Sequence, residues 1–206
     1  MNTTNTTSRL VAVSIAAAVA LSACSTDGSD LTAPGTNGAT PVPIVIPTEP
    51  EPLLSEDTLT FTLVSPEFEA SGSIPAVFSR RDGDNVSPPL QWGGVPEGTT
   101  DLALVMTDPS ANGFVHWVIW GLDPVSIGLD IGQVPPEARQ ALNGFGDAAY
   151  GGPSPPPGAD PHVYLWRLFA LDQPTLDLEN GMNGQDAIAE IESRAIAITE
   201  LIAFYG

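Results

Sequence analysis

The chain has 206 residues, with 25 acidic side chains against 6 basic ones, all Arg, and a formal charge of −19. That balance argues against nucleic acid or an anionic bilayer surface as partner, because both are gripped through clusters of Lys and Arg. Solubility or adaptation to salt accounts for the acidity more simply than an acidic binding function does. Cys24 is the only cysteine, so no disulfide is available within the chain and stability must come from a hydrophobic core.

In chain order, a polar start with Arg9 leads into the apolar run Leu10 to Leu21 and then Ser22-Ala23-Cys24. A charged start, an apolar run and small residues before a cut are the parts of a secretory signal peptide, here residues 1–23. The run is too short for a span, which needs about 20 apolar residues to cross roughly 30 Å of hydrocarbon. Leu21-Ser22-Ala23-Cys24 is similar to the lipobox of bacterial lipoproteins, which implies acylation of Cys24 and an exported, envelope-anchored protein. Ser25 after the cysteine leans the expectation toward the outer membrane, facing periplasm or surface. Removing residues 1–23 takes one Arg and no acid, leaving 5 Arg against 25 acids and a charge of −20.

Residues 24–57 are rich in Thr, Pro, Gly and acids, as in Pro47-Thr48-Glu49-Pro50-Glu51-Pro52, and are expected to form a tether. As a flexible chain such a tether spans roughly 30 Å. A single domain is expected over 58–206, a size at which about 68 to 70% of the unfolded surface is buried.

That domain opens on Thr58-Leu59-Thr60-Phe61-Thr62-Leu63, whose alternation predicts a strand with one apolar face. Leu102 to Met106, Val115 to Leu122 and Val163 to Leu171 are further strand candidates, heavy in β-branched and aromatic residues. Ile188, Ile191, Ala195, Ile198 and Ile202 recur at three and four, which predicts a helix over Asp186 to Phe204 with Asn183 as its N-cap. The expected fold class is mostly β: an antiparallel β-sandwich with a C-terminal helix and short peripheral helical segments.

Polar residues interrupt this apolar pattern at a few places. Asp108 ends the strand Leu104-Val105-Met106-Thr107, where it can form a local Asx-turn or serve a site. His116 lies inside a strand, where period-two alternation puts it on the face of Val118 and Trp120. His162 and Tyr164 share a face of a strand that follows the loop Tyr150-Gly151-Gly152-Pro153-Ser154-Pro155-Pro156-Pro157-Gly158. Two His and one carboxylate at a sheet end would make a polar pocket in an apolar wall, and a Gly/Pro loop can offer backbone N–H groups to an anion.

Four segments in order and spacing then carry a resemblance: Asp82-Gly83-Asp84-Asn85-Val86-Ser87-Pro88-Pro89-Leu90-Gln91-Trp92, Thr107-Asp108-Pro109, His116-Trp117, and the Gly/Pro loop leading to His162-Val163-Tyr164. From Leu59 to Gly206 the chain resembles the phosphatidylethanolamine-binding proteins, in the bacterial branch labelled Raf kinase inhibitor-like. The resemblance implies a β-sandwich with peripheral helices and, at one end, a pocket for phosphate-like anions or phospholipid headgroups. By position it would be lined by Asp108, His116, the loop around Gly152, His162 and Tyr164, with Asp84 and Trp92 nearby. Two segments depart from the family pattern. Asp108-Pro109-Ser110-Ala111-Asn112 stands for Asp-Pro-Asp-Ala-Pro, which removes a carboxylate, and His162-Val163-Tyr164 stands for His-Arg-Tyr, which removes a cation.

The leading expectation is a non-catalytic module that binds a small anion or phospholipid headgroup, with no metal and no cofactor. Inhibition of an envelope protease, or of a kinase-type partner, is the alternative that the same resemblance implies. A metal-dependent hydrolase built on the two His and a carboxylate comes third. No Gly-x-Ser-x-Gly elbow supports a serine hydrolase.

Overall fold

Leu102 to Met106 is apolar without a break, the pattern of a strand covered on both faces. In a computed structural model, which describes residues 60–174 and 177–206, this run is the centre of the domain. The signal peptide, Cys24, the tether, Thr58 and Leu59 lie outside the described residues. The strands are β1 (Thr62–Val64), β2 (Leu90–Gly93), β3 (Asp101–Asp108), β4 (Phe114–Leu122), β5 (Gly128–Leu129), β6 (Arg139–Gln140), β7 (His162–Leu171) and β8 (Ala195–Tyr205). One helix, α1 (Gly184–Ser193), and two short 3-10 turns, Ala76–Phe78 and Pro109–Ala111, complete the described elements.

The strands form two antiparallel sheets, one in the order β1-β2-β5 and one in the order β6-β4-β3-β7-β8. Leu63, Leu90, Trp92 and Leu129 of the smaller sheet meet Leu104, Met106, Trp117, Ile119, Trp166 and Leu168 of the larger one in a single core. The other face of the larger sheet, with Val105, Val118, Trp120 and Phe169, is covered by Ala187, Ile188 and Ile191 of α1. Each large apolar side chain buried in this way stabilises the fold by about 1.5 to 3 kcal/mol. The mostly β sandwich expected from the sequence is therefore present, with the helix packed on it.

The helix itself is shorter than expected. Asn183 caps it as predicted, its side chain accepting from the amides of Gln185 and Asp186, and Asp186 sits in the first turn. It stops at Ser193, however, and Ala195–Tyr205 is an edge strand in register with the whole of β7, from His162 opposite Tyr205 to Leu171 opposite Ala195. The isoleucine stripe misled because Ala195-Ile196-Ala197-Ile198-Thr199 alternates at two as well as recurring at three and four. β-Branched residues favour the strand, and pairing along β7 decides the matter. Ile198 is consequently 50% exposed, whereas Leu201, outside the proposed stripe, is 2% exposed and belongs to the core.

These opposite exposures give a direct test. Leu201→Ala should cost about 2 to 5 kcal/mol by leaving a cavity, and Ile198→Thr should change stability by no more than about 0.5 kcal/mol. Denaturant midpoints measure both, and a helical C-terminus would reverse the order.

Candidate functional site

Three strand ends converge at one edge of the larger sheet. Leu102, Leu104 and Met106 of β3 face the sandwich core, so alternation carries Asp108 to the same face. Tyr164 of β7 lies on the core side together with Trp166 and Leu168, and His162 continues the row. Strict alternation in β4 would send His116 to the opposite face, with Val118 and Trp120. The pairing instead jumps from Met106 opposite Trp117 to Thr107 opposite Val115, so His116 is the extra residue of a β-bulge. A bulge re-aims a side chain. The His116 ring meets Tyr164 edge-on, with centroids 5.2 Å apart, which corrects the face assigned from sequence.

The result is a cavity of about 190 Å³ lined by Asp108, Ala111, Phe114, His116, Phe145, Ser154, Pro156, His162 and Tyr164. Asp108 is buried and fully engaged: Oδ2 is 2.7 Å from His162 Nδ1, and Oδ1 accepts from the Ala111 amide at 3.1 Å. Oδ1 bonds the amide three residues on, so Asp108 caps the 3-10 turn Pro109–Ala111 rather than closing an Asx-turn, while Oδ2 meets His162. His116 Nδ1 lies 2.6 Å from the Gly151 carbonyl oxygen. Because each ring commits Nδ1, Nε2 is the nitrogen left for the cavity in both. The Tyr164 hydroxyl is buried and has no hydrogen-bond partner. Burial and then the Asp108 charge push its ionisation well upward, so it stays a neutral phenol, and the Ser154 backbone works the other way.

Other expected pocket residues serve as scaffold. Gly152 does not line the cavity. Its amide donates to Asn85 Oδ1 at 2.7 Å, and a Cβ there would strike the Phe78 carbonyl oxygen. Tyr150 Oη donates to that same carbonyl at 2.9 Å, and the Arg80 amide donates to Pro153 O at 3.0 Å. The Asp82-Gly83-Asp84-Asn85 segment thus braces the Gly/Pro loop. Asp84 stays outside the cavity, its amide bonded to Val77 O at 2.9 Å. Trp92 is also absent from the lining: it packs in the core between the sheets and donates from Nε1 to Ser126 O at 2.7 Å.

Sequence reasoning missed Phe114 and Phe145, the aromatic walls. Phe114 stands two residues before His116 on the same face-breaking strand, and Phe145 sits between Gly144 and Gly146, a pattern that offered a weak signal. The Arg80 guanidinium lies 4.4 Å from the centre of the Phe145 ring and pairs with Asp147 at 3.2 Å, holding that wall in place. Of the departures from the family pattern, Ser110 has a definite role: its Oγ accepts from the Val163 amide at 3.0 Å, tying the 3-10 turn to β7.

A larger open groove of about 540 Å³ runs along Arg81, Asp82 and Tyr205. Its polar groups already satisfy one another, since Tyr205 Oη and Arg81 Nε both donate to Asp82 Oδ2, at 2.5 and 2.8 Å. The smaller cavity, with an unpartnered hydroxyl and two free imidazole nitrogens, is the better candidate for a ligand.

Burial lowers the pKa of His116, and the bond to Gly151 and the charge of Asp108 only partly oppose that fall. The unfolded chain then takes up a proton near the ordinary value of about 6.5 that the folded chain refuses, so stability is lost as pH falls through the acid side of that value. Between about pH 7 and pH 5 the wild-type denaturation midpoint should drop further than that of His116→Phe. Parallel pH profiles would refute a buried neutral ring.

The family model for phosphatidylethanolamine-binding protein matches residues 64–206. A UPF0098 protein of Methanothermobacter thermautotrophicus is 41% identical over 145 residues, covering 67% of this chain and 93% of its own. LppC of Mycobacterium tuberculosis, whose name assigns it provisionally to the lipoproteins, is 35% identical over 201 residues, 95% of this chain and 94% of its own. The crystal structure of Escherichia coli YbcL, described as a member of the mammalian PEBP family, superposes with a TM-score of 0.66 at 28% identity over 70% of this chain and 97% of its own. With the motifs, the sandwich and these matches in agreement, the chain belongs to the phosphatidylethanolamine-binding protein family.

Proposed function

We propose that this domain is a non-catalytic module that binds a small phosphate-type anion, free or as a phospholipid headgroup, in the cavity of His116, His162 and Tyr164. The observation that carries the reading is the buried Tyr164 hydroxyl without a partner, beside two imidazoles whose second nitrogens remain available, in a wall otherwise aromatic. Buried polar atoms are rarely left unpaired. A ligand whose oxygen atoms include acceptors and a hydroxyl donor would satisfy these groups, and the phenol supplies a donor that needs no ionisation.

The same reading places the protein in the cell envelope, held by acyl chains on Cys24. The alignment with LppC across 95% of this chain supports it. Acyl burial contributes about 0.8 kcal/mol per CH₂, so the domain needs no membrane affinity of its own, and its acidity would repel anionic lipid.

Titration with inorganic phosphate and with phosphoethanolamine at about millimolar concentration, where a binding free energy near −4 kcal/mol becomes visible, should shift the ring signals of His116 and His162 in magnetic resonance spectra. Unmoved signals would refute the anion reading. Alanine at both His should weaken binding by about tenfold or more. Cys24→Ser should move the protein from the membrane to the soluble fraction with anion binding unchanged, and retention in the membrane would refute the anchor.

A further inference from the structure

We infer that the cavity selects oxyanions that bring their own acidic proton, such as the monoanion of inorganic phosphate or of a phosphomonoester, over oxyanions of similar size without one, such as sulfate. The inference rests on the anion reading above and names the chemistry its ligand must have.

The His116 ring sets the hydrogen-bond pattern of the cavity. Its Nδ1 lies 2.6 Å from the Gly151 carbonyl oxygen, and a carbonyl oxygen only accepts, so the hydrogen is on Nδ1. A neutral imidazole carries one donor and one acceptor. Nε2 therefore presents a lone pair to the cavity rather than an N–H. An oxyanion oxygen without hydrogen would set one acceptor against another, whereas a P–OH group would donate to Nε2 while its other oxygens accept from the Tyr164 phenol.

Nothing around the ring favours a second proton strongly enough to reverse this. The charged or titratable groups facing it are Asp108 from β3, and His162 and Tyr164 from β7, while Phe114 and Phe145 supply apolar walls. Asp108 already accepts from His162 and Ala111. Burial at 3% exposure disfavours an imidazolium, in keeping with the lowered pKa of this residue. Among the described residues no Arg lines the cavity: Arg80 is paired with Asp147, and Arg81 with Asp82 and the Pro155 carbonyl. The site thus offers no Arg charge to a dianion, and a monoanion that keeps at least one acidic hydrogen is the oxyanion that its charge opposes least and its hydrogen-bond pattern fits.

Isothermal titration of the full chain with inorganic phosphate and with sulfate, in two buffers of different ionisation enthalpy, tests this. Phosphate should bind about tenfold or more tightly than sulfate, the cost of leaving a buried acceptor opposed. At about pH 8, where phosphate in solution is mostly the dianion, binding should take up close to one proton, and affinity should rise toward about pH 6. Sulfate affinity equal to that of phosphate, or no proton uptake, would overturn the inference and leave the anion reading intact. Binding of neither anion would overturn both. Nitrogen-15 spectra of the unliganded protein add an independent readout: a neutral His116 ring with hydrogen on Nδ1 is expected, and hydrogen on Nε2 would overturn the inference whatever the titrations give.

Discussion

All eight residues of β3 are buried, and that constraint organises the rest of the molecule. A strand alternates its side chains, so a strand covered on both sides sends one row into the sandwich core and the other beneath α1. At the end of the inward row stands Asp108, a carboxylate in an apolar surrounding. An unpaired charge in that position is expensive, and the structure meets the cost locally, with the Ala111 amide on one oxygen and His162 on the other. The first component of the site is therefore a consequence of how the centre of the sheet is packed.

The second component comes from a departure from regularity. The bulge in β4 brings His116 across to the side of Tyr164 and into reach of the Gly151 carbonyl. That carbonyl is in place because the loop carrying it is braced by Tyr150 on Phe78, Gly152 on Asn85 and Arg80 on Pro153. The two imidazoles end up differently supported, one by a charged carboxylate and the other by a neutral carbonyl.

The departures from the family pattern fit this picture. Ser110 stands where the pattern has a second Asp, and its hydroxyl is used on the backbone of Val163. The rim then carries one carboxylate fewer, and the remaining one is saturated. The anionic surface of the domain and the largely apolar wall of the cavity are separate matters, since most acids among the described residues are exposed, where water screens them.

Much of this was legible in the sequence. The buried strands could be recognised from their apolar runs, Asn183 from its place before the helix, and the shared face of His162 and Tyr164 from strand period alone, because period and capping depend only on neighbours in the chain. Two further matters were decided by contacts between distant segments. Whether Ala195–Tyr205 became helix or strand rested on ten residues of β7 waiting as its partner, since its own pattern satisfied both periods. Which way His116 faced rested on a one-residue mismatch between β3 and β4, and a sequence records the residues of a bulge without recording the register that creates it. Asp84, Gly152 and Trp92 mark the same boundary. The sequence, through the family resemblance, put these three in or near the pocket with Asp108, His116, His162 and Tyr164, but only the tertiary structure decided that Gly152 braces the loop, Trp92 packs in the core and Asp84 stays outside while the other four face the inside, because a cavity is defined by which atoms are left uncovered once every segment has packed.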